Sequence, residues 1–597
     1  MSIQDLLSPF TAWKNLFRDP VTIQDPFNDR PGSERYRGFH KNDVASCIGC
    51  GTCETICQNA AIDMVVGEGE PTGAGDSGLR PRIDYGRCCW CALCVDICMT
   101  GSLTMSNAYT WVERDPDAYR FTPGVDKKSW DNAPLGYQRA ESHRLAPTQR
   151  VTMGEVAPER RIGSFEEIVQ GYGVEQARLE ADRCVSCGLC IATCPTHMSI
   201  PDYIQSVRDG DYEKGLALLY ETNPFSNVCG RVCTHKCETV CAAGHEGEPV
   251  AIRWLKRHIV DQLPVEKYRR IIGDPKPPTG KRVAVIGAGP AGLTAAFDLA
   301  KMGHSVVVYE AREKPGGMFR YGIPEYRLPY DAMDIDIEII TSMGVEIRCH
   351  NRVGTDITME QLHQEYDAVL LSIGLHLGRS TRIAGSDHKG VAKAVDLLRD
   401  IADGKSIDVP KQCVVIGGGN VAMDIARSMA RLQKSTQGEI RVTVTALEDL
   451  DHFLADPEEV KECGEEGIAI LDSRGPQEIC LDDQGQIIGL RTWGVESIFD
   501  EQGRFAPRYN PEDEQIHPAD RVIEAIGQQS DVTLLGEALT EKLAWNRGRI
   551  AVDGQGRTSE GWLWAAGDCV NGPDVVHAVA DGHRVATDID LMLQKKR

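Results

Sequence analysis

The chain has 597 residues and carries 88 acidic against 65 basic side chains, a formal net charge of −23. This length exceeds what one hydrophobic core supports and, at roughly 150 residues per domain, predicts about four domains. The acidic balance argues against a nucleic-acid partner, because phosphate backbones are bound by basic surfaces. No apolar run reaches about 18 to 20 residues and no secretory signal pattern opens the sequence, so we expect a cytoplasmic protein without a transmembrane segment.

Residues 1–37 combine aromatic and apolar side chains with interrupting prolines. Phe10, Trp13 and Phe17 are spaced as on an amphipathic turn, and Pro20 limits the length of any helix that they form. Such a segment either packs on its own domain or docks on another subunit. We interpret it as a docking extension.

Sixteen of the 22 cysteines form four tetrads that precede the first glycine-rich loop. In the first three the spacing is C-x2-C-x2-C-x3-C, which directs three thiolates at one 4Fe-4S cluster while the fourth often binds a neighbouring cluster. Disulfide frameworks suit small secreted chains, and zinc sites usually place two cysteine pairs far apart in the sequence. We therefore expect four 4Fe-4S clusters. Their predicted ligands are Cys47, Cys50, Cys53, Cys57; Cys88, Cys91, Cys94, Cys98; Cys184, Cys187, Cys190, Cys194; and Cys229, Cys233, Cys237, Cys241.

The six other cysteines follow no ligand spacing, and we interpret them as ordinary buried thiols. They are Cys89, Cys349, Cys413, Cys463, Cys480 and Cys569.

Composition and periodicity divide the part of the sequence around the tetrads into three segments. Residues 38–106 hold the first two and predict a ferredoxin domain with two clusters. Residues 107–163 are rich in Pro, Asp and Arg without sustained periodicity, which is typical of a linker. Residues 164–270 have a helical pattern and predict a helical iron-sulfur domain.

A glycine-rich loop follows an apolar strand pattern at 281–286. Gly287, Gly289 and Gly292 form G-x-G-x-x-G between this strand and a helix, and Glu310 ends the next strand. These glycines let the backbone approach a pyrophosphate at a helix N-terminus, while the acid accepts hydrogen bonds from ribose hydroxyls. Residues 271–380 are therefore predicted to begin a dinucleotide-binding domain.

A second loop of this kind follows the strand pattern at 412–416. Gly417, Gly419 and Ala422 form its variant with alanine as the third small residue. Two such units imply two nucleotides, one held permanently and one that exchanges. A tight turn without a ligand is the alternative for this loop. We expect an NAD(P)-binding domain at 381–510.

Near the C-terminus, Gly567 and Asp568 follow a third strand pattern and precede a helix that starts near 573–576. In flavoproteins with two dinucleotides, an aspartate at this place reaches the ribityl and pyrophosphate region of FAD. The helix N-terminus then faces the pyrimidine edge of the flavin, where its dipole favours negative charge. A simple turn is the alternative. Since this segment must join the first loop, we expect a FAD domain split into 271–380 and 511–597.

In their order, these motifs resemble the small subunit of bacterial glutamate synthase, the large subunit of NADH-dependent ferredoxin:NADP oxidoreductase, and dihydropyrimidine dehydrogenase. The resemblance covers about 164–597 and rests on the third and fourth tetrads, both glycine loops, Gly317 within the run 316–324, and Gly567-Asp568. It implies a module that moves electrons between NAD(P)H and iron-sulfur clusters through FAD. Both tetrads are more compact than the family pattern, so the division of ligands among clusters in 184–241 stays open.

Residues 1–106 resemble a different family, the two-cluster ferredoxin-type subunit of respiratory complex I and related membrane hydrogenases. The leader 15–22, the run Arg37-Gly38-Phe39-His40 and the eight cysteines carry this resemblance, although Gln58 and Met99 replace the usual prolines. It implies two sets of ligands, in which each tetrad supplies one cysteine to the other. The sets are Cys47, Cys50, Cys53, Cys98 and Cys57, Cys88, Cys91, Cys94.

Glu448 indicates which pyridine nucleotide binds. It lies in Leu447-Glu448-Asp449, directly after a strand pattern, where NADP-dependent members of the family carry arginines. A carboxylate there repels a 2′-phosphate and accepts from a free 2′-hydroxyl, so we expect NAD(H) rather than NADP(H). A solvated acidic turn is the alternative.

The expected fold class is α/β with α+β. It consists of an N-terminal two-cluster ferredoxin fold, a helical iron-sulfur domain, and two Rossmann-like dinucleotide-binding domains, with the NAD domain inserted in the split FAD domain.

The expected function is electron transfer between NAD(H) and a ferredoxin or partner redox subunit, through FAD and a chain of 4Fe-4S clusters. The hydride and electron chemistry belongs to the cofactors, so no catalytic side chain is assigned. The alternative is an electron-input or adaptor subunit of a larger hydrogenase, formate or 2-oxoacid oxidoreductase complex, with electron bifurcation as a further variant. In either case the N-terminal ferredoxin domain is expected to face the partner, and membrane association is expected only through that partner.

Overall fold

The protein is described here from a computed structural model, which covers residues 8–18, 32–67, 71, 73, 75–572 and 574–595. Within the predicted docking extension, a 3-10 helix spans Ser8–Asn15, and residues 1–7 and 19–31 lie outside the described residues. The chain forms two compact units. The first contains the described residues up to Gln149 with Val185–Leu189 and Val240–Pro249, and the second contains Arg150–Cys184, Cys190–Thr239 and the chain from Val250.

The first unit is built from two small antiparallel sheets and two one-turn helices. One sheet pairs His40–Asn42 with Leu103–Met105, and the other orders Ile62–Val66, Leu79–Asp84 and Arg120–Phe121. The helices, Thr52–Thr55 and Leu93–Asp96, each begin inside a cysteine tetrad after a residue in the left-handed conformation. This repeated loop and helix is the predicted ferredoxin-like fold. The 3-10 helices of the unit are Pro116–Tyr119, Glu141–His143 and Ala242–His245.

The segment 107–163 differs from the predicted linker. Phe121, Trp130 and Tyr137 are buried in the core of the first unit, where Trp130 stacks on Phe39 with 4.3 Å between ring centroids. The indole Nε1 of Trp130 also donates to the backbone carbonyl of His40 at 3.1 Å. Large aromatic side chains anchor this segment without any helical or strand period, and a periodicity argument therefore overlooks them.

Helices dominate the part of the second unit that precedes the first glycine loop, as predicted. Val174–Ala181 and Ile200–Asp209 pack beside Ile252–Asp261, whose long buried face makes it the centre of this region. The other helices between 158 and 272 are Pro158–Arg161, Leu189–Thr193, Tyr212–Tyr220, Ser226–Val232, Lys236–Thr239 and Val265–Ile272.

The FAD domain predicted around the first glycine loop is a five-stranded parallel sheet. In spatial order its strands are Leu563–Ala565, Ala368–Leu371, Arg282–Ile286, Ser305–Tyr309 and Glu346–Arg348. The strand from the C-terminal segment pairs with Ala368–Leu371, which confirms a domain split by an insertion. The accompanying helices are Pro290–Lys301, Met318–Tyr321, Tyr330–Ser342, Met359–Glu365, Gly536–Lys542 and Val575–Lys595, and the paired short strands are Leu377–Gly378 with Gln528–Gln529 and Trp545–Asn546 with Arg549–Ile550.

The insertion contains a second five-stranded parallel sheet. Its strands are, in spatial order, Val391–Lys393, Arg521–Glu524, Cys413–Ile416, Val442–Thr445 and Ala469–Leu471. A three-stranded antiparallel sheet interrupts it before the last parallel strand returns. The antiparallel strands are Arg474–Leu481, Ile487–Phe499 and Phe505–Pro518, and the helices are Ala394–Ala402, Asn420–Gln437 and Pro457–Glu465, with a 3-10 turn at Leu450–His452. Two further 3-10 turns, Thr533–Leu535 and Gly567–Cys569, belong to the FAD domain. In the described part of the chain, every helix is too short or too polar to span a bilayer.

A buried carboxylate ties helices of the insertion to the segment that precedes the iron-sulfur helices. Glu466 accepts hydrogen bonds at 2.7–3.0 Å from the guanidinium groups of Arg161, Arg427 and Arg431. All four side chains are almost fully buried. Burial alone would raise the pKa of Glu466, but the bonds from Arg427 and Arg431 outweigh it and lower that pKa to about 2.

Glu466→Gln is expected to lower the free energy of unfolding by about 3–5 kcal/mol, because three buried cations then face a neutral amide. Since the folded pKa lies below the ordinary value of 4.5, the stabilisation is present above pH 4.5 and is lost as the pH falls from 4.5 through 2. Thermal unfolding of both proteins at several pH values measures the difference. Glu439→Gln, at an ion pair with Arg441 exposed on both sides, is the control and should cost less than about 0.5 kcal/mol. Equal losses for the two variants would contradict the role of Glu466.

Candidate functional site

Four thiols drawn from both tetrads of the first unit surround one small cavity. Cys47, Cys50 and Cys53 of the first tetrad line it together with Cys98, the last cysteine of the second. Burial is the main cause that raises the pKa of Cys53, and the neighbouring thiols raise it further. Thiolates in such surroundings require a positive charge, and an iron cluster supplies one.

The remaining four thiols of the first unit form a second group. Cys94 lies near Cys57, Cys88 and Cys91, so the last cysteine of the first tetrad joins the second tetrad. Burial, more than the neighbouring thiols, raises the pKa of Cys88 to about 11. The two groups are the sets that the resemblance implied.

No three His, Cys, Asp or Glu side chains among the described residues are close enough to chelate a single ion.

The cysteines outside the tetrads were predicted to be buried, and this is wrong for two of them. Cys89 is exposed and Cys349 is half-buried, whereas Cys413, Cys463, Cys480 and Cys569 are buried as expected. Cys89 lies between the half-buried Cys88 and the exposed Cys91 on the surface loop of the second tetrad, which explains its exposure.

In the second unit, thiols of the third and fourth tetrads gather around one buried cation. Lys256, on the helix Ile252–Asp261 and only 5% exposed, lies near Cys194, Cys229, Cys233 and Cys237. Gly230 allows the approach, since a Cβ there would stand 3.0 Å from the Cα of the residue after Lys256. A lysine among four thiolates offsets part of their negative charge. The sequence reading missed Lys256, for which no motif exists.

The other tetrad cysteines are distributed between the two units. Cys184 and Cys190 belong to the second unit, and Cys187 and Cys241 to the short segments of the first. Cys190 is buried, and the other three are half-buried.

Asp336 anchors the helix that carries Cys229. Its carboxylate accepts from the hydroxyl of Tyr220 and the amide of Asn227, both at 2.8 Å, and from the backbone N–H of Val228 at 3.0 Å. Because Asp336 belongs to the helix Tyr330–Ser342, these bonds attach the cysteine-bearing helix Ser226–Val232 to the FAD domain. Burial raises the pKa of Asp336 to about 6, against the lowering effect of these bonds.

A cavity of about 350 Å³ lies at the carboxyl ends of the first parallel sheet. Such a volume suits a cofactor site. Its walls contain most of the residues predicted to hold FAD, together with Val421 and Asp424 from the inserted domain. The predicted residues in its walls are Gly287, Gly289, Glu310, Gly317, Gly567 and Asp568.

At two glycines beside the cavity, neighbouring atoms leave no room for a side chain. At Gly292, a Cβ would stand 2.2 Å from the carbonyl oxygen of Gly287 and 2.4 Å from Oγ of Ser372, so this residue closes the packing of helix on strand. At Gly317 the φ of +55° is left-handed, and a Cβ would stand 2.8 Å from the Cα of Gly289. The two loops therefore form one narrow cradle of backbone, which a pyrophosphate fits.

Charged side chains complete the cavity. Glu310 accepts from the backbone N–H groups of Ala288 and Arg312, each at 2.9 Å, and so holds the first glycine loop. Burial raises the pKa of Asp568 to about 6. Arg312 and Arg399 also line the cavity, and burial followed by the nearby Arg399 lowers the pKa of Arg312. Two converging guanidinium groups suit an anionic diphosphate, and neither belongs to a sequence motif that would have revealed it.

The fourth tetrad is attached directly to this cavity. Asp574, in the cavity wall just before the helix Val575–Lys595, accepts from the hydroxyl of Thr234 at 3.0 Å. Thr234 follows Cys233 in the chain, so a single hydrogen bond connects a cysteine-bearing loop with the wall of the cavity.

The second glycine loop has the same geometry as the first. Gly417 has a φ of +140°, Gly419 begins the helix Asn420–Gln437, and the fully buried Ala422 packs in its first turn. A Cβ on Gly418 would stand 3.0 Å from Oε2 of Glu448, so this carboxylate lies over the loop.

The chain is similar to known iron-sulfur flavoproteins. Residues 281–582 match the family described as pyridine nucleotide-disulphide oxidoreductase, and residues 161–268 match dihydropyrimidine dehydrogenase domain II, 4Fe-4S cluster. The chain is 37% identical to the NADP(+)-dependent formate dehydrogenase subunit beta of Moorella thermoacetica, over 99% of this chain and 83% of that protein. It is 33% identical to the glutamate synthase [NADPH] small chain of Escherichia coli, over 71% and 93%. It is 32% identical to the NAD-dependent dihydropyrimidine dehydrogenase subunit PreT of Escherichia coli, over 72% and 97%.

Asp336→Ala is expected to destabilise the second unit by about 3 kcal/mol or more, because each buried donor left without its acceptor costs about 1–3 kcal/mol. Thermal unfolding of the purified variant measures this loss. Glu338→Ala, at an exposed residue of the same helix, is the matched control and should change stability by less than about 0.5 kcal/mol. A loss no larger than that of the control would show that Asp336 does not anchor the cysteine-bearing helix.

Proposed function

Because this chain belongs to the pyridine nucleotide-disulphide oxidoreductase family, we propose that it transfers electrons between NAD(H) and a partner redox protein through FAD and four 4Fe-4S clusters. It is an iron-sulfur oxidoreductase that depends on FAD and a pyridine nucleotide. The observation that carries the proposal is the hydrogen bond from Thr234, beside Cys233, to Asp574 in the wall of the cofactor cavity. Electron exchange requires a cluster and a flavin to be neighbours, and this contact supports the proposal because it joins a proposed cluster-binding loop to the wall of the proposed flavin cavity.

FAD, when bound, supplies the conversion between the hydride of a pyridine nucleotide and single electrons. Residues of the cavity wall support the binding of FAD. Gly287, Gly289 and Gly317 leave room for the diphosphate, and Arg312 and Arg399 offset its charge. The N-terminus of Val575–Lys595 presents its partial positive charge to the same cavity.

Cluster binding rests on the groups of thiols. Cys47, Cys50, Cys53 and Cys98 are proposed to hold one cluster in the first unit, and Cys57, Cys88, Cys91 and Cys94 another. In the second unit, the gathering around Lys256 supports a cluster on Cys194, Cys229, Cys233 and Cys237. The other predicted ligands, Cys184, Cys187, Cys190 and Cys241, are proposed to bind iron-sulfur clusters because of their spacing in the sequence, and their division among clusters stays open.

The partner is proposed to be a catalytic oxidoreductase subunit. The relative from Moorella thermoacetica, which matches nearly the whole chain, is named as a subunit of a formate dehydrogenase. The chain would then introduce or remove electrons for a larger complex, with the first unit facing the partner. Purification of the native complex, identification of its subunits, and assay of NADH-dependent dye reduction by the isolated chain test this. Dye reduction by the chain alone supports its own NADH oxidoreductase activity, whereas activity only with the co-purifying subunit favours the adaptor role.

Gly292→Ala is expected to remove most of the bound flavin, because its Cβ would overlap the carbonyl oxygen of Gly287 at 2.2 Å and push the loop from its place. Flavin released on denaturation, measured per chain, reports the loss. The matched control is Gly464→Ala, at an exposed helix position where a Cβ meets no atom within 4 Å. Normal flavin content in Gly292→Ala would argue against this loop as the FAD site.

NADH is expected to give a kcat/KM at least about tenfold above that of NADPH, because the Glu448 carboxylate over the second loop repels a 2′-phosphate and accepts from a 2′-hydroxyl. Glu448→Ala should reduce this ratio, mainly through KM. Steady-state rates with both nucleotides measure it. Asp451→Ala, which removes an exposed acid shortly after Glu448 in the chain, should leave the ratio unchanged. A preference of the unmodified protein for NADPH would overturn the assignment.

A further inference from the structure

His40 is a buried histidine of the first unit. The proposed electron transfer assigns it no role. Its side chain is 1% exposed, and it opens the short strand His40–Asn42. The ring lies between two groups, with Nδ1 at 3.0 Å from the hydroxyl oxygen of Tyr85 and Nε2 at 3.3 Å from Sγ of Cys94. Cys94 belongs to the second group of thiols, so His40 contacts a proposed cluster ligand.

The contacts of Tyr85 determine which ring nitrogen carries the proton. The backbone N–H of His40 already donates to the Tyr85 hydroxyl oxygen at 2.7 Å. Tyr85 is itself buried, and among the described residues the acceptor within reach of its hydroxyl proton is Nδ1 of His40. A buried hydroxyl without an acceptor costs about 1–3 kcal/mol, so Tyr85 donates to Nδ1. In a neutral ring the proton then resides on Nε2, the nitrogen that faces the sulfur.

The surroundings hold the ring in this orientation. Trp130 donates from Nε1 to the carbonyl of His40 at 3.1 Å, so both backbone polar groups of His40 are bound. Tyr85 stacks on Trp90, which lies between Cys88 and Cys91 in the chain, at 5.1 Å between ring centroids. A thiolate sulfur has no proton to give and accepts the bond from Nε2.

We propose that His40 is a positioning residue that donates a hydrogen bond from Nε2 to the sulfur of Cys94 and thereby raises the reduction potential of the cluster on Cys57, Cys88, Cys91 and Cys94. The inference rests on the proposed function, which places a cluster on these thiolates. On reduction the cluster gains one electron, and the sulfurs become more negative. A hydrogen bond to a sulfur therefore stabilises the reduced state more than the oxidised state, while its proton stays on Nε2.

The consequence concerns the electron affinity of this cluster. With this hydrogen bond the cluster is a better electron acceptor than it would be without His40. Tyr85 contributes by fixing the tautomer. Trp130 contributes by holding the backbone carbonyl of His40.

Redox titration of the full-length protein, followed by electron paramagnetic resonance, tests the proposal. In His40→Leu the reduction potential of this cluster should fall by about 59 mV, which for a one-electron couple corresponds to a tenfold loss in electron affinity. His40→Gln, whose amide again presents an N–H, should restore most of the potential. His304→Leu is the control, because His304 is also buried but bonds to Thr279 and Asp590. An unchanged potential in His40→Leu overturns the proposal.

Different results would contradict the proposed function and the role of His40. Iron content below that of four clusters in the unmodified protein would contradict the proposed function, whereas full iron content with an unchanged potential in His40→Leu contradicts the role of His40 alone. If His40→Leu does not assemble its cluster, the unmodified protein with ¹⁵N-labelled histidine decides the matter. Electron-nuclear double resonance should then show a ¹⁵N coupling and an exchangeable proton at the reduced cluster. Absence of both overturns the proposal.

Discussion

In the first unit, each of the two cysteine loops supplies one thiol to the group formed by the other loop, and the fold of the unit depends on this arrangement. Cys98 joins the group formed by the first tetrad, and Cys57 joins the group formed by the second. Neither loop can complete a set of four alone, so the loops must fold against each other before either set exists. The surrounding core contains five large aromatic side chains, which help to hold the two short loops where long helices and strands do not.

Buried charges perform the corresponding task in the second unit. Asp336 joins a cysteine-bearing helix to the FAD domain, and Glu466 joins the inserted domain to the segment before the iron-sulfur helices. Apolar contacts alone do not fix how two elements are oriented, because they have no preferred direction. Each carboxylate accepts directional hydrogen bonds from several donors and so fixes that orientation. Removal of one member leaves buried donors or cations without partners, which is why such contacts specify position even where they add little net stability.

Charge also determines how the proposed cofactors are held. Lys256 stands among thiols, and Arg312 with Arg399 stands in the cavity for FAD, so each negative group meets a cation at low dielectric. His40 differs from these residues, because it acts through one neutral hydrogen bond to a single sulfur. The protein thus has two means of tuning electron affinity, a buried charge and a directed N–H group.

Much of the architecture was determined by local sequence. The cysteine spacings, the two glycine loops after apolar strands and the distant Gly567-Asp568 predicted the order of the folds and the split FAD domain, because each motif needs only its own neighbours to form. Within the predicted linker 107–163, Trp130 and Tyr137 belong to the core of the first unit, and their role shows only once that core is folded. Lys256, Arg312, Asp336 and the contact of His40 with Cys94 were likewise decided by tertiary structure. Charges and hydrogen bonds act between residues that are neighbours in space, and the spacing of residues along the chain does not show which of them become neighbours in the fold.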